Sequence, residues 1–129
     1  MKLVLPIYWT DVKIRVPSVT YLVGMNWYSK ANYHLKNKVK RDYHELVANQ
    51  TLNFKPVNKF RVTYVIYYKS VISDGSNIAA VIEKFVLDGL KLAGVITDDN
   101  VKFHLGSTWK VQAQDKTDPR VEIHIEEVE

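Results

Sequence analysis

The sequence contains no cysteine, and only four prolines and five glycines stand among its 129 residues. Without cysteine the chain cannot form a disulfide, a thiolate zinc site or a cysteine nucleophile. No apolar run approaches the ~20 residues that a membrane-spanning helix requires. Residues 1–6 form a strand-like run that is shorter than the apolar core of a signal peptide. These absences predict a soluble, cytoplasmic protein without a membrane partner.

Motifs for nucleotide cofactors and serine hydrolases are also missing. The chain has no GxGxxG, no P-loop and no GxSxG, which predicts that it uses no nucleotide cofactor. Its histidines do not follow the HExxH spacing of a zinc site; they are His34, His44, His104 and His124. His34 and His44 lie in a basic segment and could contact phosphate, or they are ordinary surface residues.

Charge is distributed unevenly along the chain. The stretch from Lys30 to Arg61 contains eight basic and two acidic residues, whereas the stretch from Asp74 to Glu129 contains eleven acidic and six basic residues. The basic segment indicates a polyanionic partner, because phosphate contacts release condensed counterions. The acidic part would repel that partner unless some carboxylates hold a cation. The alternative is that both charge sets are solvated faces.

The hydrophobic pattern predicts an α+β (mixed α/β) domain that spans residues 1–129 without a linker. Period-two alternation of Val12, Ile14 and Val16 predicts a half-buried strand, and residues 24–28 are interpreted as a turn or loop. The other predicted elements are a basic amphipathic helix over 33–49, a central strand over 60–68, a helix from about 77 to Gly94, and strands over 101–113 and 121–128 joined by a hairpin at 115–119. The order is roughly βαβαββ, with two helices packed on a mixed sheet.

The stretch from 74 to 100 is the best candidate for chemistry. Carboxylates occur at both ends of the predicted helix and within it, at Asp74, Glu83, Asp88, Asp98 and Asp99. Hard oxygen ligands suit Mg²⁺, and Lys84 would add positive charge at a phosphodiester. A structural interpretation of the same residues is also open: a helix cap at Asp74, an i,i+4 pair of Lys84 with Asp88, and a turn at 98–100.

Aromatic residues accompany the basic segment. Trp27 and Tyr28 stand just before the lysine-rich helix and could stack on unpaired bases. The alternative is that they belong to the core at a strand–helix junction. The predicted DNA-binding residues are Lys30, Lys36, Lys38, Lys40, Arg41, Trp27 and Tyr28.

The 74–100 block resembles the signature of the RusA-like Holliday junction resolvases. That signature opens with an Asp-x-[Asp/Ser]-Asn element, continues into a helix with Lys-x-x-x-Asp-x-Leu, and ends with a Gly and an Asp-Asp turn. The matching residues here are Asp74, Asn77, Lys84, Asp88, Leu90, Gly94, Asp98 and Asp99. Upstream, residues 25–28 and the lysine-rich helix look like the N-terminal part of phage-borne members.

The resemblance implies a phage- or prophage-encoded homodimer that nicks four-way DNA junctions with Mg²⁺, or with Mn²⁺ in its place. Asp74, Asp98 and Asp99 would then bind metal, and Lys84 would contact the phosphate. Asp88 and Asn77 would support these groups. The homodimer also follows from the two-fold symmetry of the branched DNA substrate.

The chain departs from the best-known family pattern at two points. Ser76 stands where that pattern has a second aspartate, and about four extra residues precede Lys84. Glu83 is the candidate replacement for the missing metal ligand, so the predicted catalytic residues are Asp74, Glu83, Lys84 and Asp99. Two alternatives stay open: a branched-DNA-binding protein with a decayed metal site, and a small phage structural or regulatory protein.

Overall fold

The computed structural model describes residues 1–71 and 74–129, which hold six strands and three helices. In chain order the elements are β1 (Lys2–Pro6), β2 (Tyr8–Asp11), β3 (Val19–Leu22), α1 (Met25–Lys30), α2 (Tyr33–Gln50), β4 (Lys59–Tyr68), α3 (Gly75–Leu92), β5 (His104–Gln114) and β6 (Arg120–Val128). The predicted α+β class is confirmed, as are the long helices and the central strand to within one or two residues.

A mixed four-stranded sheet in the order β1-β6-β4-β5 organises the fold. β6 is antiparallel to both β1 and β4, whereas β4 and β5 are parallel and are joined by the crossover helix α3. The prediction of a hairpin at 115–119 is wrong, because β4 lies between β5 and β6. The segment crosses the end of β4 instead, and the Asp115 amide donates to the Tyr68 carbonyl at 2.8 Å.

The three helices cover one face of this sheet and enclose the core. Alternate residues of the strands point to that face, so Leu3, Leu5, Tyr64 and Ile123 are fully buried against the helices. No helix in residues 1–71 or 74–129 combines the length and apolarity that a bilayer crossing requires.

The outer edge of β1 is closed by a side chain from the end of α2. The Val4 amide donates to Gln50 Oε1 and Gln50 Nε2 donates to the Val4 carbonyl, both at 2.8 Å. The amide group thus takes both hydrogen-bonding positions that a neighbouring strand would use at this residue.

The alternating segment around Ile14 is not a half-buried strand. β2 and β3 form a separate two-stranded hairpin, and residues 12–18 are its connecting loop. Val12 is 79% exposed and Ile14 is 99% exposed. Period-two alternation reports which side chains share a face, but here nothing in the described chain covers the apolar one.

Residues 24–28 form the start of a helix rather than a loop. Helix α1 begins after Gly24 without a side-chain cap, and its residue Trp27 is buried in the core. Tertiary burial of the indole therefore stabilises a short helix that local sequence signals did not predict.

Helix α3 begins and ends where its capping signals predict. The Asp74 carboxylate accepts hydrogen bonds from the amides of Ser76 and Asn77, and Gly94 adopts a positive φ of 76° after the helix end. At Gly89 the helix approaches α2 closely, since a Cβ there would lie 3.1 Å from the Val47 Cβ.

Candidate functional site

Asp74 caps the start of α3, and both of its carboxylate oxygens accept hydrogen bonds there. Its Oδ1 accepts from the Ser76 hydroxyl at 2.8 Å and from the Ser76 amide at 3.1 Å, and its Oδ2 accepts from Asn77 Nδ2 at 3.2 Å. The Ser76 hydroxyl, followed by the Asn77 amide, lowers the pKa of Asp74. Asp74 and Asn77 therefore lie in contact, and the contact is a helix-capping arrangement.

Asp98 and Asp99 lie beyond the opposite end of α3, around Lys91. Lys91 Nζ is 3.5 Å from Asp98 Oδ1 and 3.3 Å from Asp99 Oδ1. Asp98 also accepts from the Asp99 amide at 2.8 Å and from Asn100 Nδ2 at 3.1 Å. Hydrogen bonds from Asp99, and after them Lys91, lower the pKa of Asp98, while Asp99 raises the pKa of Lys91.

The structure does not bring the predicted carboxylate ligands together within one chain. Helix α3 has 18 residues, so at ~1.5 Å per residue it separates Asp74 from the 98–99 pair by ~27 Å. Glu83 lies halfway along it. Among residues 1–71 and 74–129, no three acidic or histidine side chains form a group that could hold a metal ion. Convergence was expected because the residues are near in sequence, but a continuous helix keeps its ends apart.

Glu83 takes part in a polar cluster with β5 that the sequence did not predict. The Ser107 hydroxyl donates to Glu83 Oε1 at 3.0 Å, and His104 Nε2 lies 2.7 Å from that hydroxyl and 3.5 Å from Glu83 Oε1. The buried Tyr64 hydroxyl borders this cluster, and burial, followed by the charge of Glu83, raises the pKa of Tyr64. The packing of α3 against β5 and the pairing of β5 with β4 bring these residues together, so no local sequence signal reveals them.

Lys84 points to the other flank of α3 and joins the predicted DNA-binding residues. Its Nζ lies 5.7 Å from the Tyr28 ring centroid, and Lys36 Nζ lies 4.4 Å from the same centroid. The Tyr28 ring also packs against Phe85, at 6.3 Å between centroids. The predicted catalytic lysine and two predicted DNA-binding residues thus form one local group, here called the Tyr28 cluster (Tyr28, Lys36 and Lys84).

A groove between α2 and α3 lies one helical turn beyond the Tyr28 cluster. Lys40 on α2 contacts Asp88 on α3 at 3.4 Å, one turn beyond Lys84. The groove is lined by residues from both helices and the following loop: Lys40, His44, Asp88, Lys91, Leu92 and Thr97. Of these, Lys91 contacts Asp98 and Asp99. Asp88 pairs with a lysine across the groove and lies about one helical turn before Lys91 on α3.

The outer surface of α2 carries further positive charge. Lys38 contacts Asp11 of the β2–β3 hairpin at 3.2 Å on one flank of the helix, while Lys40 faces α3 on the other. Arg41 is exposed between them, and Lys30 is exposed at the end of α1. Burial, followed by Lys40, lowers the pKa of the neighbouring His44. The basic surface is therefore continuous from the hairpin to the groove.

Trp27 does not belong to this surface. Its indole is buried in the core beside Tyr21 and Tyr28, with ring centroids about 6.3 Å apart. This burial favours the alternative interpretation of Trp27 as a core residue, whereas Tyr28 is half-buried and reaches the basic surface.

Compared with known proteins, the chain matches no protein-family model and no curated protein sequence. The fold itself defines a single-domain α+β protein with a basic helical surface and two separate acidic helix ends.

Proposed function

We propose that this protein is a Mg²⁺-dependent endonuclease that nicks four-way DNA junctions as a homodimer, the activity that its RusA-like sequence pattern implies. The observation that carries the proposal is the groove between α2 and α3. Lys40 and Lys91 line it, Lys91 contacts Asp98 and Asp99, and the Tyr28 cluster lies one helical turn before Lys40 and Asp88. A phosphate backbone and a divalent cation would find complementary charge along one continuous surface.

The acidic end of the groove fits the donor preference of Mg²⁺. Asp98 and Asp99 offer two carboxylates at the surface, and Mg²⁺ in proteins commonly takes one or two carboxylates together with substrate phosphate and water. When bound there, the ion would supply charge neutralisation and an activated water for phosphodiester hydrolysis. Lys91 occupies these oxygens in the described structure, at 3.3 and 3.5 Å, and it would turn to the phosphate.

The basic residues would position the substrate. Lys84 and Lys36 would neutralise backbone phosphates beside the half-buried Tyr28. Surface ion pairs such as Lys40–Asp88 are worth about 0–1 kcal/mol, so phosphates can replace their carboxylates. Contacts of this kind recognise backbone shape, which suits a substrate defined by branching rather than by sequence.

A two-fold dimer would reunite the separated carboxylates. If the two-fold axis brings the start of α3 in one protomer beside the 98–99 loop of the other and leaves the α2–α3 groove open, Asp74 of one protomer lies near the partner's Asp98 and the partner's Asp99. Each dimer would then hold two equivalent sites, matched to the two opposed strands of a four-way junction. The ~27 Å length of α3 makes a second chain the simplest source of a complete carboxylate set.

The direct test compares nicking of a synthetic four-way junction and a linear duplex of the same sequence, in Mg²⁺ and in EDTA. We expect the wild type to nick the junction in Mg²⁺ alone, Asp99→Asn to lose nicking, and the matched variant Asp118→Asn, at an exposed turn elsewhere, to retain it. Full activity of Asp99→Asn would remove the site assignment.

Mixing two inactive variants tests whether the site is shared between protomers. Asp74→Asn and Asp99→Asn are each expected to be inactive, but a mixed dimer would hold one intact pair. The mixture should regain up to about a quarter of wild-type nicking, since half of its dimers are mixed and each has one complete site. No recovery would place each site within a single chain.

A second candidate is a protein that binds branched DNA without cutting it. The saturated hydrogen bonding of the Asp74 carboxylate favours this alternative, since a cap that accepts from its own helix gains nothing by releasing its oxygens. It predicts preferential binding to the four-way junction and no nicking in Mg²⁺ or Mn²⁺.

A further inference from the structure

The loop of the β2–β3 hairpin exposes an unusual combination of side chains. Val12, Ile14 and Val16 alternate with Lys13 and Arg15, and every residue from 12 to 18 is exposed. Ile14 is 99% exposed, more than any other large apolar side chain in the described residues. Residues 12–18 include no acidic side chain, so the loop is both apolar and positively charged.

The base of the hairpin is fixed to the body of the protein. Trp9 and Tyr21 stack across the two strands with 6.4 Å between ring centroids, and both pack on the core. Trp9 Nε1 donates to Asp42 Oδ2 of α2 at 2.6 Å. These contacts hold the strands in place, so the loop projects from an anchored support.

The hairpin also runs along the basic surface of α2. Trp9 contacts Asp42, and two residues nearer the loop Asp11 contacts Lys38, one turn earlier in the helix. The loop therefore points towards the N-terminal end of α2. It continues the surface that already carries Lys38 and Arg41.

Exposure of three β-branched apolar side chains to water is unfavourable in free energy. An exposed apolar group of this kind indicates a binding surface, at which these side chains would be buried. The interleaved Lys13 and Arg15 restrict that surface to one with negative charge beside apolar groups. The branch point of a four-way junction has this composition, because backbone phosphates surround base faces whose stacking is interrupted. Proteins that distort DNA insert small apolar wedges at such steps.

We infer that the 12–18 loop enters the branch point of the DNA, where Ile14 covers unstacked base faces while Lys13 and Arg15 contact the flanking phosphates. This inference rests on the proposed function and specifies how the protein would distinguish branched DNA from a linear duplex. The loop would supply selectivity, and the α2–α3 groove would supply sequence-independent affinity.

The test measures dissociation constants of the full chain for a four-way junction and for a linear duplex. Ile14→Ser is expected to weaken junction binding about tenfold, the effect that follows from removing one buried isoleucine side chain, and to leave duplex binding unchanged. Leu52→Ser is the matched control, because Leu52 is 80% exposed at the opposite end of α2. Lys13→Gln with Arg15→Gln should weaken junction binding and flatten its salt dependence.

Two further readouts separate the possible outcomes. 2-Aminopurine placed at the branch point should brighten when the wild type binds and should brighten less with Ile14→Ser. If the wild type prefers the junction and Ile14→Ser keeps that full preference, the inferred insertion of the 12–18 loop is wrong and the proposed function stands. If the wild type shows no preference for the junction, both are wrong. Binding to phosphatidylserine vesicles that is lost in Ile14→Ser, with junction preference intact, would assign the loop to a membrane surface instead.

Discussion

Glu83 and Lys84 are neighbours in sequence but contact opposite flanks of α3. Glu83 accepts a hydrogen bond from Ser107 of β5, whereas the Lys84 ammonium lies over the Tyr28 ring of α1. Successive residues of a helix point ~100° apart. Glu83 therefore contacts the sheet, whereas Lys84 faces the basic surface. The first prediction follows from this division.

Glu83→Gln should lower stability slightly and leave DNA nicking unchanged. The substitution weakens a charge-assisted hydrogen bond from Ser107, which costs about 1 kcal/mol. Thermal unfolding measured by circular dichroism should show a small decrease in Tm. Loss of nicking in Glu83→Gln with an unchanged Tm would contradict this prediction and would support Glu83 as a metal ligand.

Asp74→Asn and Asp74→Ala separate capping from catalysis. Asparagine caps helices about as well as aspartate does, whereas alanine cannot accept the Ser76 and Asn77 amide hydrogen bonds. We expect Tm to fall in the alanine variant only, and nicking to fall in both. Nicking that persists in the asparagine variant would limit Asp74 to its structural role.

Gly89→Ala should destabilise the contact between α2 and α3. The added Cβ would lie 3.1 Å from the Val47 Cβ and 3.2–3.3 Å from its methyl groups, closer than packed carbons normally approach. Overpacking of this kind typically costs ~1–3 kcal/mol and exceeds the ~1 kcal/mol gained by replacing glycine in a helix. Urea unfolding gives the free energies.

Val47→Ala supplies the control for that contact. In a double-mutant cycle the smaller side chain at 47 should relieve part of the cost of Gly89→Ala, so the two effects should not add. Strict additivity of the free energies of unfolding would contradict the close approach of the helices.

Lys36→Gln with Lys84→Gln should weaken DNA binding and reduce its salt dependence. Removing one phosphate contact lowers the slope of log K against log salt concentration by about 0.9 for duplex DNA. Fluorescence anisotropy at several salt concentrations measures that slope. Lys116→Gln, on the exposed 115–119 turn, should leave it unchanged, and an equal effect there would contradict a localised interface.

The 115–119 turn should contribute to acid sensitivity. Hydrogen bonds from the Asp118 amide, then the Thr117 hydroxyl and Arg120, lower the pKa of Asp115. Because its pKa is lower in the folded state, the stabilisation is complete above about pH 4, the ordinary range of a carboxyl, and is lost as the pH falls through the lowered pKa. The fall in Tm as the pH drops below about 4 should be smaller for Asp115→Asn than for the wild type.

Elements with strong local signals could be predicted from the sequence. The limits of α3 follow from Asp74 and Gly94, because a cap and a left-handed glycine act within a few residues of the helix end. β4 follows from its β-branched and aromatic residues. Helix α1 could not be predicted, since its stability comes from burial of Trp27 by residues distant in sequence.

The candidate site was harder to predict than the fold. The sequence places Asp74, Lys84 and Asp99 in one block, but only the structure shows that one helix separates them and that Lys84 meets Lys36 and Tyr28. The exposed 12–18 loop was missed because alternation does not show whether a covering layer exists. Strand order was equally hidden, since the pairing of β6 with β1 and β4 depends on contacts between distant residues.

Gln50 has a consequence for how this protein behaves at high concentration. With its amide bonded to both backbone groups of Val4, a second molecule cannot extend the sheet at that side without first displacing the glutamine. One residue at the end of α2 therefore blocks intermolecular strand pairing at the edge of β1. A change of similar size such as Gln50→Leu would remove that block while leaving the helix intact.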